Sequence, residues 1–174
     1  MTKITVFGSG TVQENSPLWN QAYEIGFLLA KEEYVVLNGG YGGTMLASAR
    51  GAKDGSGKTI GVTTDEFPAS KKNEFIDQEI RKRTWRERLF ELIDLGDGFV
   101  VLDGETGTLA ELLIVWEMRN KNLHQKPIVI LGERMQALVR MLKENPDVFL
   151  PQDLSLVSTP KEAVEFLQGC LGRG

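Results

Sequence analysis

The sequence predicts an α/β fold, a Rossmann-like doubly wound parallel sheet in a single domain. Three observations carry this reading. Short β-rich runs alternate with longer helical patterns along the whole 174-residue chain. Several short runs are apolar at successive positions, as strands covered on both faces should be. The 19 glycines gather where those runs end, and open α/β sheets bind ligands beyond the carboxyl ends of their strands.

Strands are expected at 3–7, 34–37, 59–63, 98–102, 127–131 and 154–157. Ile4-Thr5-Val6-Phe7, Val35-Val36-Leu37 and Phe99-Val100-Val101-Leu102 supply the β-branched and aromatic residues that a buried pleated surface favours. Helices are expected at 17–31, 44–54, 82–93, 107–121, 135–143 and 160–171. Pro17 and Pro160 suit first helical turns, where a missing N–H costs nothing. Residues 65–73, with Pro68, Lys71 and Lys72, read as a mobile polar link on the surface. Neither a repeat nor a shift in composition divides residues 1–174 into two domains.

Composition narrows the chemistry. One cysteine, Cys170, cannot form an internal disulfide, so a reducing, cytoplasmic setting is expected. The single His124 leaves no Ser-His-Asp or Cys-His arrangement and no zinc-ligand cluster. Function must then rest on carboxylates, Arg, Lys, hydroxyls and backbone, with no metal expected. A net charge of -4 argues against a general nucleic-acid binder. No run of 18 apolar residues exists, and Met1-Thr2-Lys3-Ile4 leads straight into a strand, so neither membrane span nor signal peptide is expected.

Three glycine loops mark one sheet edge: Gly8-Ser9-Gly10, Gly39-Gly40-Tyr41-Gly42-Gly43, and Gly104 with Gly107. Such loops let backbone N–H groups face an anion at a helix N-terminus, which points to a phosphorylated small molecule. A standard nicotinamide site is disfavoured, because Gln13 and Asn38 stand where the third glycine and the ribose-binding acid belong. Gly57-Lys58-Thr59 leads into a strand and is no Walker loop.

The segment Asp103-Gly104-Glu105-Thr106-Gly107-Thr108-Leu109-Ala110-Glu111 follows a buried strand and opens a helix. Its N–H groups around Gly107 and Thr108, with the Thr108 hydroxyl, would form a phosphate cradle. On the helical wheel Leu109, Leu112, Leu113 and Trp116 form one apolar face, and Glu111 lies nearly opposite with Ile114 and Met118. A helix apolar on two sides is covered on two sides, so a second subunit is expected against Glu111. Partial desolvation there would raise its value as a base. Arg81-Lys82-Arg83-Thr84-Trp85-Arg86-Glu87-Arg88 is mostly a solvated basic run, but Arg88 falls at the margin of an apolar stripe. A half-buried arginine calls for an anionic partner.

These two segments together resemble the Lonely Guy (LOG) family of cytokinin nucleoside 5′-monophosphate phosphoribohydrolases. Its hallmark, Pro-Gly-Gly-x-Gly-Thr-x-x-Glu, is matched at Gly104, Gly107, Thr108 and Glu111, and Arg88 stands at the family's catalytic Arg position. Val6-Phe7-Gly8-Ser9, the loop from Gly39 to Thr44 and Lys126-Pro127 extend the likeness over residues 3–131. Asp103 and Glu105 replace the hallmark Pro and Gly, Leu89 replaces the Lys after the Arg, and Glu117 stands where many members have Thr. Carboxylates beside the cradle oppose an anion there.

The resemblance implies a homodimer that cleaves the N-glycosidic bond of an AMP-like or cytokinin ribotide. Glu111 and Arg88 would be catalytic, and Gly104, Glu105, Thr106, Gly107 and Thr108 would lie at the phosphate. Gly8, Ser9, Gly39, Gly42 and Gly43 would shape the rest, with no cofactor. A lysine decarboxylase label that members also carry does not fit, since the pattern holds no Schiff-base Lys. The alternative is a non-catalytic nucleotide or cofactor binder, a sensor or molybdenum-cofactor carrier of the same superfamily.

Overall fold

The computed structural model describes residues 1–151 and 153–172. Seven parallel strands form one sheet in the order β4-β3-β2-β1-β5-β6-β7. They are β1 (Lys3–Phe7), β2 (Val35–Asn38), β3 (Thr59–Thr64), β4 (Gln78–Lys82), β5 (Gly98–Val101), β6 (Ile128–Ile130) and β7 (Leu154–Leu156). The helices are α1 (Pro17–Lys31), α2 (Thr44–Asp54), α3 (Trp85–Leu95), α4 (Thr106–Asn120), α5 (Glu133–Lys143) and α6 (Pro160–Leu171).

Strand pleating divides the core in two. Ile4, Val6, Val36, Val100, Leu102, Val129 and Leu131 face α1, α2 and α6. Their neighbours Phe7, Val35, Leu37, Phe99, Val101, Ile128 and Ile130 face α3, α4 and α5. Successive side chains of a strand point to opposite faces, so apolar residues at every position require helices on both. The doubly wound expectation holds.

Chain direction across the sheet reverses at β1, which pairs with β2 on one side and β5 on the other. The crevice therefore opens between the loops after β1 and β5. Helix α2 supplies its third wall. Gly26 and Gly51 let α1 and α2 touch backbone to backbone, since a Cβ on Gly26 would strike Ser48 O and one on Gly51 would strike Tyr23 O. That contact brings the N-terminus of α2 onto the first loop, where Thr44 N and Thr44 Oγ1 both donate to Ser9 O, at 2.8 and 3.0 Å.

Three expectations change. Residues 78–82 form β4, an edge strand pairing with β3 from Ile60–Gln78 to Thr64–Lys82, so Arg81 and Lys82 belong to a strand and helix α3 starts at Trp85. Its charged pattern hides it, because an edge strand needs few apolar residues and charges there discourage further pairing. Thr84 and Glu87 form a capping box that fixes the later helix start. Residues 65–73 are also more than a loose link: Phe67 meets Tyr41 at 6.0 Å between ring centroids, and buried Asn73 donates to Tyr41 O at 2.8 Å. In α4 the buried residues are Thr108, Leu112, Val115 and Trp116, while Leu113 is 41% exposed and Leu109 is half-buried.

Candidate active site

The three glycine loops converge at the switch point. Asn38 ends β2 and pins the second loop: its side-chain amide donates to Met45 O and Ser48 Oγ, and its carbonyl accepts from Gly40 N. Gly43 opens α2 with φ of 61° and lies against the first loop, where a Cβ would strike Ser9 O. Gly39 passes so close to the Arg88 guanidinium that a Cβ would overlap Nη2. Ser9 N donates to Asp103 O at 3.2 Å, joining the first and third loops. Gly8, Ser9, Gly39, Gly42, Gly43 and Gly104 thus lie together at the carboxyl ends of β1, β2 and β5. Gly107 is exposed in the first turn of α4, and Thr108 is buried beside Gly104.

Arg88 stands in the first turn of α3 and is deeper than its place on the wheel indicates, with only 6% exposed. Among the described residues it forms no ion pair. Its Nε donates to Val62 O at 2.7 Å and its Nη2 to Gly39 O at 3.2 Å. The Tyr41 ring lies 5.4 Å and the Phe67 ring 6.0 Å from the guanidinium carbon. Carbonyls and aromatic faces orient a cation without neutralising it. Burial pulls its pKa down, while Glu111 is the leading influence in the other direction.

Glu111 occupies the second turn of α4 and is half-buried. Desolvation pushes its pKa up to about 7, opposed only in part by the nearby charge of Arg88. A carboxylate so placed changes protonation near neutrality, as a general acid or base must. Ile114 and Met118, on the same side of α4, pack within the chain's own core, so part of that face is covered without a second subunit.

The two acids of the third loop point to different places. Asp103 turns away from the crevice and accepts from Arg134 N at 3.0 Å and Met135 N at 3.1 Å, capping α5. Glu105 is the N-cap residue of α4 but gives that helix no side-chain cap. Its Oε1 instead accepts from Ser9 Oγ and Thr11 Oγ1, both at 2.7 Å. These hydrogen bonds hold its pKa below the ordinary carboxylate value.

Sequence reasoning did not single out Tyr41, Phe67 or Thr11. Tyr41 had a signal, as a large aromatic amid four glycines; its hydroxyl accepts from Thr64 N at 2.8 Å, locking the ring beside Arg88. Phe67 and Thr11 lie in irregular loops, where no periodicity reports what a side chain meets. Among the described residues no His, Cys, Asp and Glu group of three could hold a metal ion, and no helix is long and apolar enough to cross a membrane.

Residues 1–164 match the SLOG cluster4 family, and the chain belongs to it. An uncharacterised protein of Archaeoglobus fulgidus is 31% identical over 138 residues, covering 78% of this chain and 87% of its own. A cytokinin riboside 5′-monophosphate phosphoribohydrolase of Mycobacterium tuberculosis is also 31% identical over 138 residues, 74% of each chain. The likeness to the LOG family is thereby shown. Among solved structures, that of TM1055, a structural-genomics target, has a TM-score of 0.80 at 26% identity and covers 97% of this chain and 99% of its own. The molybdenum cofactor binding protein of Rippkaea orientalis has a TM-score of 0.79 at 24% identity, covering 98% of this chain and 97% of its own. That second likeness shows the fold alone.

Proposed function

We propose that this SLOG cluster4 protein hydrolyses the N-glycosidic bond of a purine ribosyl compound, as the names of its phosphoribohydrolase relatives indicate for theirs. The observation that carries the reading is Glu111 beside Arg88. One is a desolvated carboxylate with a pKa near 7, the other a buried guanidinium that forms no ion pair among the described residues, and each acts on the other's charge.

In the reaction the bond from the base nitrogen to ribose C1′ breaks, and water adds at C1′. Positive charge develops on the sugar in an oxocarbenium-like transition state. Ionised Glu111 stabilises that charge and takes a proton from the attacking water. Arg88 keeps Glu111 partly ionised, and its cationic face favours electron density moving onto the departing base, whose nitrogen then receives the proton that Glu111 took from water. The half-exposed Leu113 and the exposed Phe149 offer a second copy an apolar surface next to α4, so the reading includes a homodimer. Light scattering at micromolar protein then gives twice the 19.3 kDa chain mass; a single chain mass contradicts the dimer.

Chromatography after incubation with AMP, isopentenyladenosine monophosphate and the corresponding nucleosides tests the reaction. Free base from at least one is the expected result. Release from none, with binding shown by a raised melting temperature, favours a non-catalytic binder or carrier.

A further inference from the structure

The expected anion cradle has two rims, the loop after β1 and the first turn of α4. The first rim already has its acceptor. Ser9 Oγ and Thr11 Oγ1 both donate to Glu105 Oε1, while Thr11 N donates back to Ser9 Oγ at 3.2 Å. Backbone N–H groups of Gly10 and of Glu105 itself add to the hold on the carboxylate. Ser9 is only 4% exposed, so its hydroxyl depends on partners within the protein. An acidic N-cap ordinarily turns inward to the N–H groups of its own helix. Glu105 turns outward and spans the crevice to the facing loop.

We propose that Glu105 fills the anion cradle from within the chain and selects the ligand: a purine riboside without a phosphate at that place, rather than a ribotide. A ligand phosphate would have to displace a carboxylate held by several donors, or stand beside it as a second anion. The cation nearest at hand is already committed elsewhere. Arg88 directs Nε and Nη2 to the carbonyls of Val62 and Gly39, and an apolar Leu89 follows it. Asp103 plays no part in the exclusion, because its carboxylate caps α5.

The inference rests on reading the crevice as a ribosyl pocket, but not on turnover. Isothermal titration of wild type, Glu105→Gly and Glu105→Gln with adenosine, AMP, ribose 5-phosphate and inorganic phosphate tests it. Wild type binds adenosine at least tenfold more tightly than AMP. Glu105→Gly reverses that order and gains at least tenfold for ribose 5-phosphate and inorganic phosphate. Glu105→Gln keeps the bulk and an acceptor oxygen without the charge, and falls between. The wild-type preference persists from pH 8 to pH 5, since the carboxylate stays ionised. Wild type that binds AMP as tightly as adenosine overturns the proposal. So does a Glu105→Gly protein with a native circular dichroism spectrum and no gain in phosphate affinity. The expected binding order without release of base supports it and sinks the hydrolase reading alone.

Discussion

Helix α4 begins with one glutamate and carries another six residues on, and the two occupy opposite environments. Glu105 is exposed, yet serine and threonine hydroxyls tie it down and hold its pKa low. Glu111 is half-buried, with desolvation dominant and Arg88 as its opposing influence, and its pKa is pushed up to about 7. Burial without donors protonates a carboxylate, whereas donors without burial fix it as an anion. Exposure and local donors act here in the same sense, holding exposed Glu105 ionised and pushing half-buried Glu111 toward its neutral form. On one helix the chain carries a titrating group suited to proton transfer and a permanent anion suited to excluding another.

The largest expected effect comes from removing the titrating member. Glu111→Gln lowers base release by about a thousandfold, within the range of general acid–base and charge stabilisation combined. Turnover within tenfold of wild type would remove Glu111 from the chemistry. Arg88→Ala lowers it by about a hundredfold and also moves the midpoint of the pH profile upward, because Arg88 is what lowers the Glu111 pKa. A midpoint that stays in place would show that the two charges do not communicate.

A smaller effect lies in the wild-type pH profile. The ionised form of Glu111 does the work, so kcat/KM rises by nearly tenfold from pH 6 to pH 8, through a midpoint near 7. A profile that is flat or falls over this range breaks the assignment.

The smallest effect is on stability, and the two glutamates give it opposite signs. Glu111 has a folded pKa above its ordinary 4.5, so the stability it contributes is full below pH 4.5 and is lost as pH rises through about 7. Glu111→Gln escapes that loss and is the more stable protein at pH 8, by about 2 kcal/mol in urea titrations. Glu105, held below its ordinary value, contributes stability above pH 4.5 that is lost as pH falls through its folded pKa. A Ser9→Ala variant weakens that contribution by about 1 kcal/mol, visible at pH 7 and absent in strong acid. Equal stabilities at pH 7 would mean the Ser9–Glu105 bond contributes nothing net.

Much of this was legible in the chain. Apolar residues at successive positions of 35–37 and 99–102 required helices on both sheet faces, and the glycine clusters gave the sheet edge that carries the crevice. Arg88 was marked by its place at the margin of an apolar stripe, Glu111 by a helix apolar on two sides and both by the resemblance to the LOG pattern, and the fold brings them within electrostatic reach. Edge strand β4 was missed because Gln78-Glu79-Ile80-Arg81-Lys82 buries so little that no apolar period results. The apolar face of α4 was misplaced toward Leu113, since this helix is apolar over most of its circumference and its own pattern does not say which side meets the sheet.

The sequence by itself determined the layers, the chain order of the helices and of every strand but β4, and the sheet edge where the glycine loops gather, because hydrophobic period and glycine position act locally on the backbone. Tertiary structure alone decided where the charged side chains point. Asp103 and Glu105 are two residues apart in one loop, yet one reaches the N-terminus of α5 and the other the loop after β1. Each direction is set by donors that lie about thirty or more than ninety residues away in the chain. Arg88 likewise hydrogen-bonds to carbonyls of β3 and of the loop after β2, and feels the Glu111 charge without a hydrogen bond to it among the described residues. A hydrogen bond depends on the position of both partners, and only the folded chain brings those partners together.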